Sequence, residues 1–244
     1  DRPYMILTDG NSHNLALSLQ LSRSSIDNPI YTRRGSQFTL GLKITPPYSI
    51  IKGTTDAEFA QMTTSEKYNL LEYHKWKFSG KVFTPLTQDG KLVLMTRAEF
   101  GYLGHYNKNA KSPFESFYMG GDGMSSYSSY STEYISMRGY QSGSLTPYDP
   151  AVGRNMGYVY NKFTMELRYP ISLEQNATIW ALAFVEAGNC FADIKDYNPF
   201  NLKRSAGVGV RLFLPMFGLM GIDWGWGFDP INGSTSSGGS QFHF

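Results

Sequence analysis

The feature that most constrains this chain is an alternation of apolar and polar side chains with period two. It recurs in segments of roughly ten residues that end in turn-forming residues. Only a β-strand sends successive side chains to opposite faces, so each segment is predicted to be an amphipathic strand. Leu15, Leu17, Leu19 and Leu21 share a face, with Ala16, Ser18 and Gln20 on the other. Phe38, Leu40, Leu42 and Ile44 oppose Gln37, Thr39, Gly41 and Lys43, and the run stops at Pro46-Pro47, which cannot donate ladder hydrogen bonds. Trp76, Phe78, Gly80 and Val82 oppose Lys75, Lys77, Ser79 and Lys81, ending near Pro85. Leu92, Leu94, Ala98, Phe100 and Tyr102 oppose Arg97, Glu99 and Gly101.

An insert rich in Ser, Tyr, Gly and Pro then runs from about 104 to 154. A stretch of that length without periodicity is usually functional or disordered. Beyond it, Phe163, Met165, Leu167 and Tyr169 oppose Lys162, Thr164, Glu166 and Arg168. Residues 178–188 are apolar on both faces, so their inward side is undecided. Ala206, Val208, Val210 and Leu212 oppose Ser205, Gly207, Gly209 and Arg211; Met220, Ile222, Trp224, Trp226 and Phe228 oppose Gly221, Asp223, Gly225 and Gly227. The last strand, about 238–244, ends in Ser240-Gln241-Phe242-His243-Phe244. Nine strands are predicted, with no helix of useful length between them. Tight turns (Gln88-Asp89-Gly90; Pro215-Met216-Phe217-Gly218) alternate with long connections, the asymmetry of an outer-membrane barrel.

Alternation also fits a soluble sandwich or a lipocalin-like barrel. Two features favour lipid. The strands exceed the usual five to six residues, and about ten tilted residues cross a bilayer. Tyr73, Trp76, Tyr102, Tyr158, Tyr160, Tyr169, Trp224 and Trp226 cluster towards strand ends, as interfacial girdles require. A mean hydropathy of -0.33 does not oppose this, because only every second strand residue of a wet-lumen barrel meets lipid. The net charge of +2 gives no reason to expect nucleic acid as a partner. The chain opens in mid-flow at Asp1-Arg2-Pro3-Tyr4 without a leader pattern, and is read as a piece of a longer precursor.

Enzymatic chemistry finds little support. His13, His74, His105 and His243 are scattered without metal-ligand spacing. Cys190 has no basic partner nearby in sequence and reads as a small buried hydrophobe. Asp122 and Asp149 sit among Gly and Pro, where turn formation explains them. Neither an enzyme nor a cofactor or metal site is expected.

Within the insert, Pro113-Phe114-Glu115-Ser116-Phe117-Tyr118-Met119-Gly120-Gly121 precedes Met137-Arg138-Gly139-Tyr140. Downstream come Phe184-Val185-Glu186-Ala187-Gly188-Asn189, then Arg204-Ser205-Ala206-Gly207-Val208-Gly209-Val210-Arg211 with Pro215, and finally Phe242 and Phe244. In order and spacing, from about residue 35 on, these segments resemble the BamA family. The matching parts there are the sixth extracellular loop with its Val-Arg-Gly-Phe-type motif, a Phe-x-Asp-x-Gly strand, the strand after it and the carboxy-terminal β-signal.

The resemblance implies an all-β, transmembrane antiparallel β-barrel of sixteen strands in the whole protein. This chain would supply about nine, the eighth to the sixteenth, with the POTRA domains and first strands absent from it. The loop would fold into the lumen, with Arg138 bonded to Glu166 and Glu186. A guanidinium in a partly dry lumen is costly unless paired with carboxylates, and Gly139 would permit the tight tip. Glu186 stands where the family has Asp, and its extra methylene alters reach, making Glu166 the firmer partner. Met137 and Tyr140 depart conservatively from the family's flanking residues. Without those motifs, Arg138 would read as a solvated loop arginine.

The resemblance further implies a factor that folds and inserts β-barrel proteins into the outer membrane of a Gram-negative bacterium. It would need no cofactor; its partners would be unfolded outer-membrane clients, accessory lipoproteins and the bilayer. A lateral gate would open between the first strand and the last, here Gly239, Ser240, Gln241, Phe242, His243 and Phe244. The Gly/Ser run before it is read either as a weakened seam or as an ordinary flexible loop. A two-partner secretion or TamA-like translocation pore shares the loop and barrel and remains the alternative; a plain porin would lack the Arg-Gly-Tyr loop.

Overall fold

A computed structural model of the chain describes residues 10–107, 109, 111–122, 132–150 and 153–244, so part of the insert lies outside the described residues. Early in the chain come β1 (Leu17–Ser24), β2 (Gly35–Ile44), β3 (His74–Pro85) and β4 (Val93–Gly104). The insert carries the short strands β5 (Phe117–Met119), β6 (Glu133–Ile135), β7 (Tyr148–Asp149) and β8 (Arg154–Asn155). After it come β9 (Val159–Glu174), β10 (Ala177–Phe191), β11 (Lys203–Leu214), β12 (Gly218–Pro230) and β13 (Ser237–His243). The nine long strands form one sheet in the order β1-β2-β3-β4-β9-β10-β11-β12-β13. Every neighbouring pair in it is antiparallel.

The alternation maps directly onto the two faces. Leu19, Leu40, Phe78, Phe163, Met165, Val208, Ile222 and Trp224 are exposed on the outer face. Lys75, Lys162, Thr164, Glu166, Ser205 and Asp223 are buried on the inner one. So many large apolar side chains left uncovered exceed what a soluble surface tolerates, and hydrocarbon is the solvent that suits them. No described helix is long and apolar enough to cross a membrane.

The structure decides the strand that the sequence left open. In β10, Trp180, Leu182, Phe184 and Glu186 are buried on the inner face, while Val185 is exposed on the outer face. Both faces are apolar because the inner one is itself covered by protein. Three expectations need correction. Tyr73, Tyr158 and Tyr160 are not girdle residues: they are buried against Phe117, Met119 and Tyr140 of the insert. Leu92 precedes β4, which begins at Val93. The β1–β2 connection, residues 25–34, lies at the tight-turn end but is long and folds inward onto the sheet.

Between β2 and β3 lie three short helices, α1 (Tyr48–Ile51), α2 (Asp56–Gln61) and α3 (Thr64–Lys67). Thr55 with Glu58 and Thr63 with Glu66 form capping boxes that start the last two. At four to six residues, none could persist without the surrounding loop.

Candidate functional site: the inserted loop and its seat on the inner wall

The insert leaves β4, pairs β5 with β6 in parallel, and turns at Met137-Arg138-Gly139-Tyr140. The Met119-Gly120-Gly121 turn braces this tip: the Gly121 amide donates to the Tyr140 carbonyl at 3.0 Å, and the Met137 amide to the Gly121 carbonyl at 2.9 Å. Gly139 adopts φ +84°, and a Cβ there would come within 2.8 Å of the Gly227 nitrogen. The wall makes matching room. A Cβ on Gly227 would lie 2.4 Å, and one on Gly238 2.5 Å, from the Gly139 oxygen. The inward glycines of β12 and β13 are therefore a seat for the loop backbone. The Tyr140 hydroxyl donates to the Arg204 carbonyl at 2.8 Å and accepts from the Asp229 amide at 3.2 Å.

Arg138 is buried, its side chain 8% exposed. Its Nη2 lies 2.7 Å from a carboxylate oxygen of Glu166 and 2.7 Å from one of Glu186. Its Nε donates to Glu186 at 3.1 Å, its backbone amide to the other Glu186 oxygen at 2.9 Å, and its Nη1 to Asp223 at 3.2 Å. The guanidinium lies 3.7 Å from the centre of the Phe184 ring. Each carboxylate also faces a wall cation: Glu186 meets Lys162 at 3.1 Å, Glu166 meets Arg168 at 2.6 Å, and Asp223 meets Arg211 at 2.6 Å. Such sharing matters because a buried charge is tolerated only when paired and hydrogen-bonded.

The structure thus brings Met137, Arg138, Gly139, Tyr140, Glu166 and Glu186 together, and the longer reach of Glu186 leaves it bonded to both the side chain and the backbone of Arg138. Of the last strand, His243 turns inward and its Nε2 accepts the Gly139 amide at 2.9 Å. Phe242 and Phe244 are exposed, and Trp224 bonds Ser240 on the outer face at 2.8 Å. Sequence reasoning missed Asp223, Lys162 and Phe184 as parts of the site. The available signal was charge on inward-facing strand positions, since alternation already put Asp223 and Lys162 on the polar face.

A second anchor holds the same loop to the opposite part of the wall. Lys75 lies 3.2 Å from Glu115 and 3.0 Å from Glu133. Lys43 pairs with Glu115 and Lys77 with Glu133. Glu115 holds φ +66°, the one non-glycine residue with positive φ among those described. That conformation is strained for a side-chain-bearing residue. Burial alone would push the Glu133 carboxyl up, but the charges of Lys75 and Lys77 outweigh it and hold it below its ordinary value. Among the described residues no group of three His, Cys, Asp or Glu side chains is placed to hold a metal ion.

A family model for the Omp85 superfamily domain matches residues 3–244. Among solved structures the chain is similar to the crystal structure of BamA from Haemophilus ducreyi lacking POTRA domains 1–3. That likeness has a TM-score of 0.61 and 18% identity, and covers 93% of this chain and 41% of that one. No curated protein matches the chain. An antiparallel sheet with a lipid-facing side, an inward loop seated on its wall and a family match over nearly every residue lead to one conclusion: the chain belongs to the Omp85 superfamily and has the fold of a BamA-type outer-membrane β-barrel.

Proposed function

We propose that this chain is the carboxy-terminal part of the barrel of an outer-membrane protein assembly factor. The whole barrel would have sixteen strands, with POTRA domains and the first strands outside this chain. Its clients are unfolded outer-membrane proteins, inserted through a lateral gate between the first strand and β13, with accessory lipoproteins assisting in a Gram-negative outer membrane.

One observation carries the reading. The loop tip is bonded at once to the inner wall through Arg138 and to the last strand through the Gly139 amide and His243. The loop is therefore coupled to the strand that would move in gating. That strand is short, at seven residues. Its pairing with β12 is irregular between Gly227 and Pro230. A weakly paired strand edge can accept a client strand through main-chain hydrogen bonds, which tolerates many client sequences. No cofactor is needed, because a chain in hydrocarbon lowers its free energy simply by pairing its backbone groups.

The test uses full-length protein in liposomes, with Gln241→Cys facing a cysteine in the first strand and an unfolded barrel protein as client. Oxidation should abolish insertion and reduction restore it. Equal insertion by the locked protein would overturn the gate. Transport of a soluble polypeptide in place of insertion would favour the secretion alternative.

A further inference from the structure

Residues 25–34 join β1 to β2 at the tight-turn end of the sheet, yet they do not follow the rim. Tyr31 is only 3% exposed. Its ring meets Trp180 of β10 edge-on at 5.7 Å, and its hydroxyl lies 2.8 Å from the Lys91 carbonyl and 3.2 Å from that of Arg168. From the β1–β2 hairpin the turn therefore reaches past β3 and β4 to β9 and β10. Phe83, Val93 and Met95 complete the apolar layer beneath it.

The turn is braced from within. The Asp27 carboxylate accepts from the Arg33 and Arg34 amides. The Asn28 side-chain oxygen accepts from the Ile30 and Tyr31 amides, and the Thr32 hydroxyl donates to the Asn28 carbonyl. A ten-residue connection that satisfies its own backbone and buries an aromatic ring is a formed element, not slack chain.

Its position gives it a role. Ile26, Pro29, Ile30 and Thr32 line one side of a cavity of about 470 Å³, and Ser136 and Arg138 of the loop tip line another. On the inner face of β10, Phe184 carries Arg138 while Trp180 carries Tyr31. Four residues of strand separate these supports, roughly 13 Å.

We infer that residues 25–34 are a floor that closes the lumen from the tight-turn end. The inserted loop is the roof, and the space between them is a chamber, not a conduit. The inference does not need the gate: it concerns passage along the barrel axis, whereas gating concerns insertion at the seam.

The experiment measures ion conductance of the full-length protein in planar bilayers. One variant replaces residues 26–34 by a two-residue Asn-Gly turn; the milder ones are Tyr31→Ala and Tyr31→Phe. With the roof released by Arg138→Ala in every protein compared, conductance should rise several-fold without the floor, rise less in Tyr31→Ala, and stay near the Arg138→Ala parent in Tyr31→Phe, which keeps the ring. In parallel, Leu182→Cys, buried within the chamber wall, should react with a membrane-impermeant maleimide from the tight-turn side only when the floor is disturbed. Tyr31→Ala keeps the test open if the deletion fails to fold. Parent-like conductance and labelling in a folded floor variant would overturn the inference, whatever the insertion assay shows.

Discussion

The two anchors of the inserted loop solve the same problem with different chemistry. At one, a single guanidinium serves three carboxylates, and every partner is buried or nearly so. At the other, three lysines share two carboxylates, and Lys43 and Lys77 keep 33% and 45% of their side chains exposed. Planar guanidinium donors match carboxylate geometry and hold a fixed direction; ammonium groups act as point charges on flexible stems. The first arrangement specifies where the tip sits. The second pulls the base of the loop towards β2 and β3 and yields to salt and solvent. The first anchor should therefore be stiff and expensive to break, and the second graded.

The largest effect should come from Arg138→Ala, which strips Glu166, Glu186 and Asp223 of the guanidinium bonds they share and leaves each buried carboxylate with its wall cation alone. Breaking a buried cluster from one side costs about 3–5 kcal/mol. The expected result is release of the loop, read as rapid trypsin cleavage within the insert while the barrel itself stays heat-modifiable. Undiminished protection would mean that the glycine seat alone holds the tip.

Glu186→Gln should cost less, about 2 kcal/mol, because Arg138 keeps two carboxylates but Lys162 loses its own. Thermal unfolding in detergent measures it. A loss equal to that of Arg138→Ala would show that the cluster acts as one unit.

At the second anchor, Glu115→Gly removes two ion pairs but relieves the positive φ, so the net loss should be only about 1 kcal/mol. Acid should loosen the same anchor through Glu133. Its carboxyl is held below the ordinary 4.5, so its contribution is complete above that value and fades as the pH falls through the lower one. Loop protection against an acid-active protease, followed with pH, measures this.

The smallest effect belongs to Lys77→Ala, at no more than about 1 kcal/mol for a half-exposed pair. High salt should mimic it while leaving the Arg138 anchor intact. Equal salt sensitivity at both anchors would erase the distinction between them.

Much of this was legible in the residues themselves. Leu19, Phe78, Phe163 and Trp224 announced the outer face, and Lys162, Glu166 and Asp223 the inner one, because strand geometry links side-chain parity to face with no tertiary information. Residues 178–188 resisted, since Trp180, Leu182 and Phe184 are apolar and inward: they are covered by a turn and a loop that arrive from elsewhere in the chain. The capping boxes at Thr55 and Thr63 were readable as Thr-x-x-Glu, yet three isolated helical turns leave no periodicity to find.

By itself, then, the sequence determined the strands, the faces of all of them but β10, and the apolar belt, all consequences of steric rules acting between adjacent residues. Only the tertiary structure decided that Arg138 meets Glu186 across 48 positions and Asp223 across 85, and that Tyr31 folds under the sheet instead of along its rim. Those outcomes depend on which distant surfaces a loop can cover while satisfying its buried charges and backbone, and no local pattern encodes that.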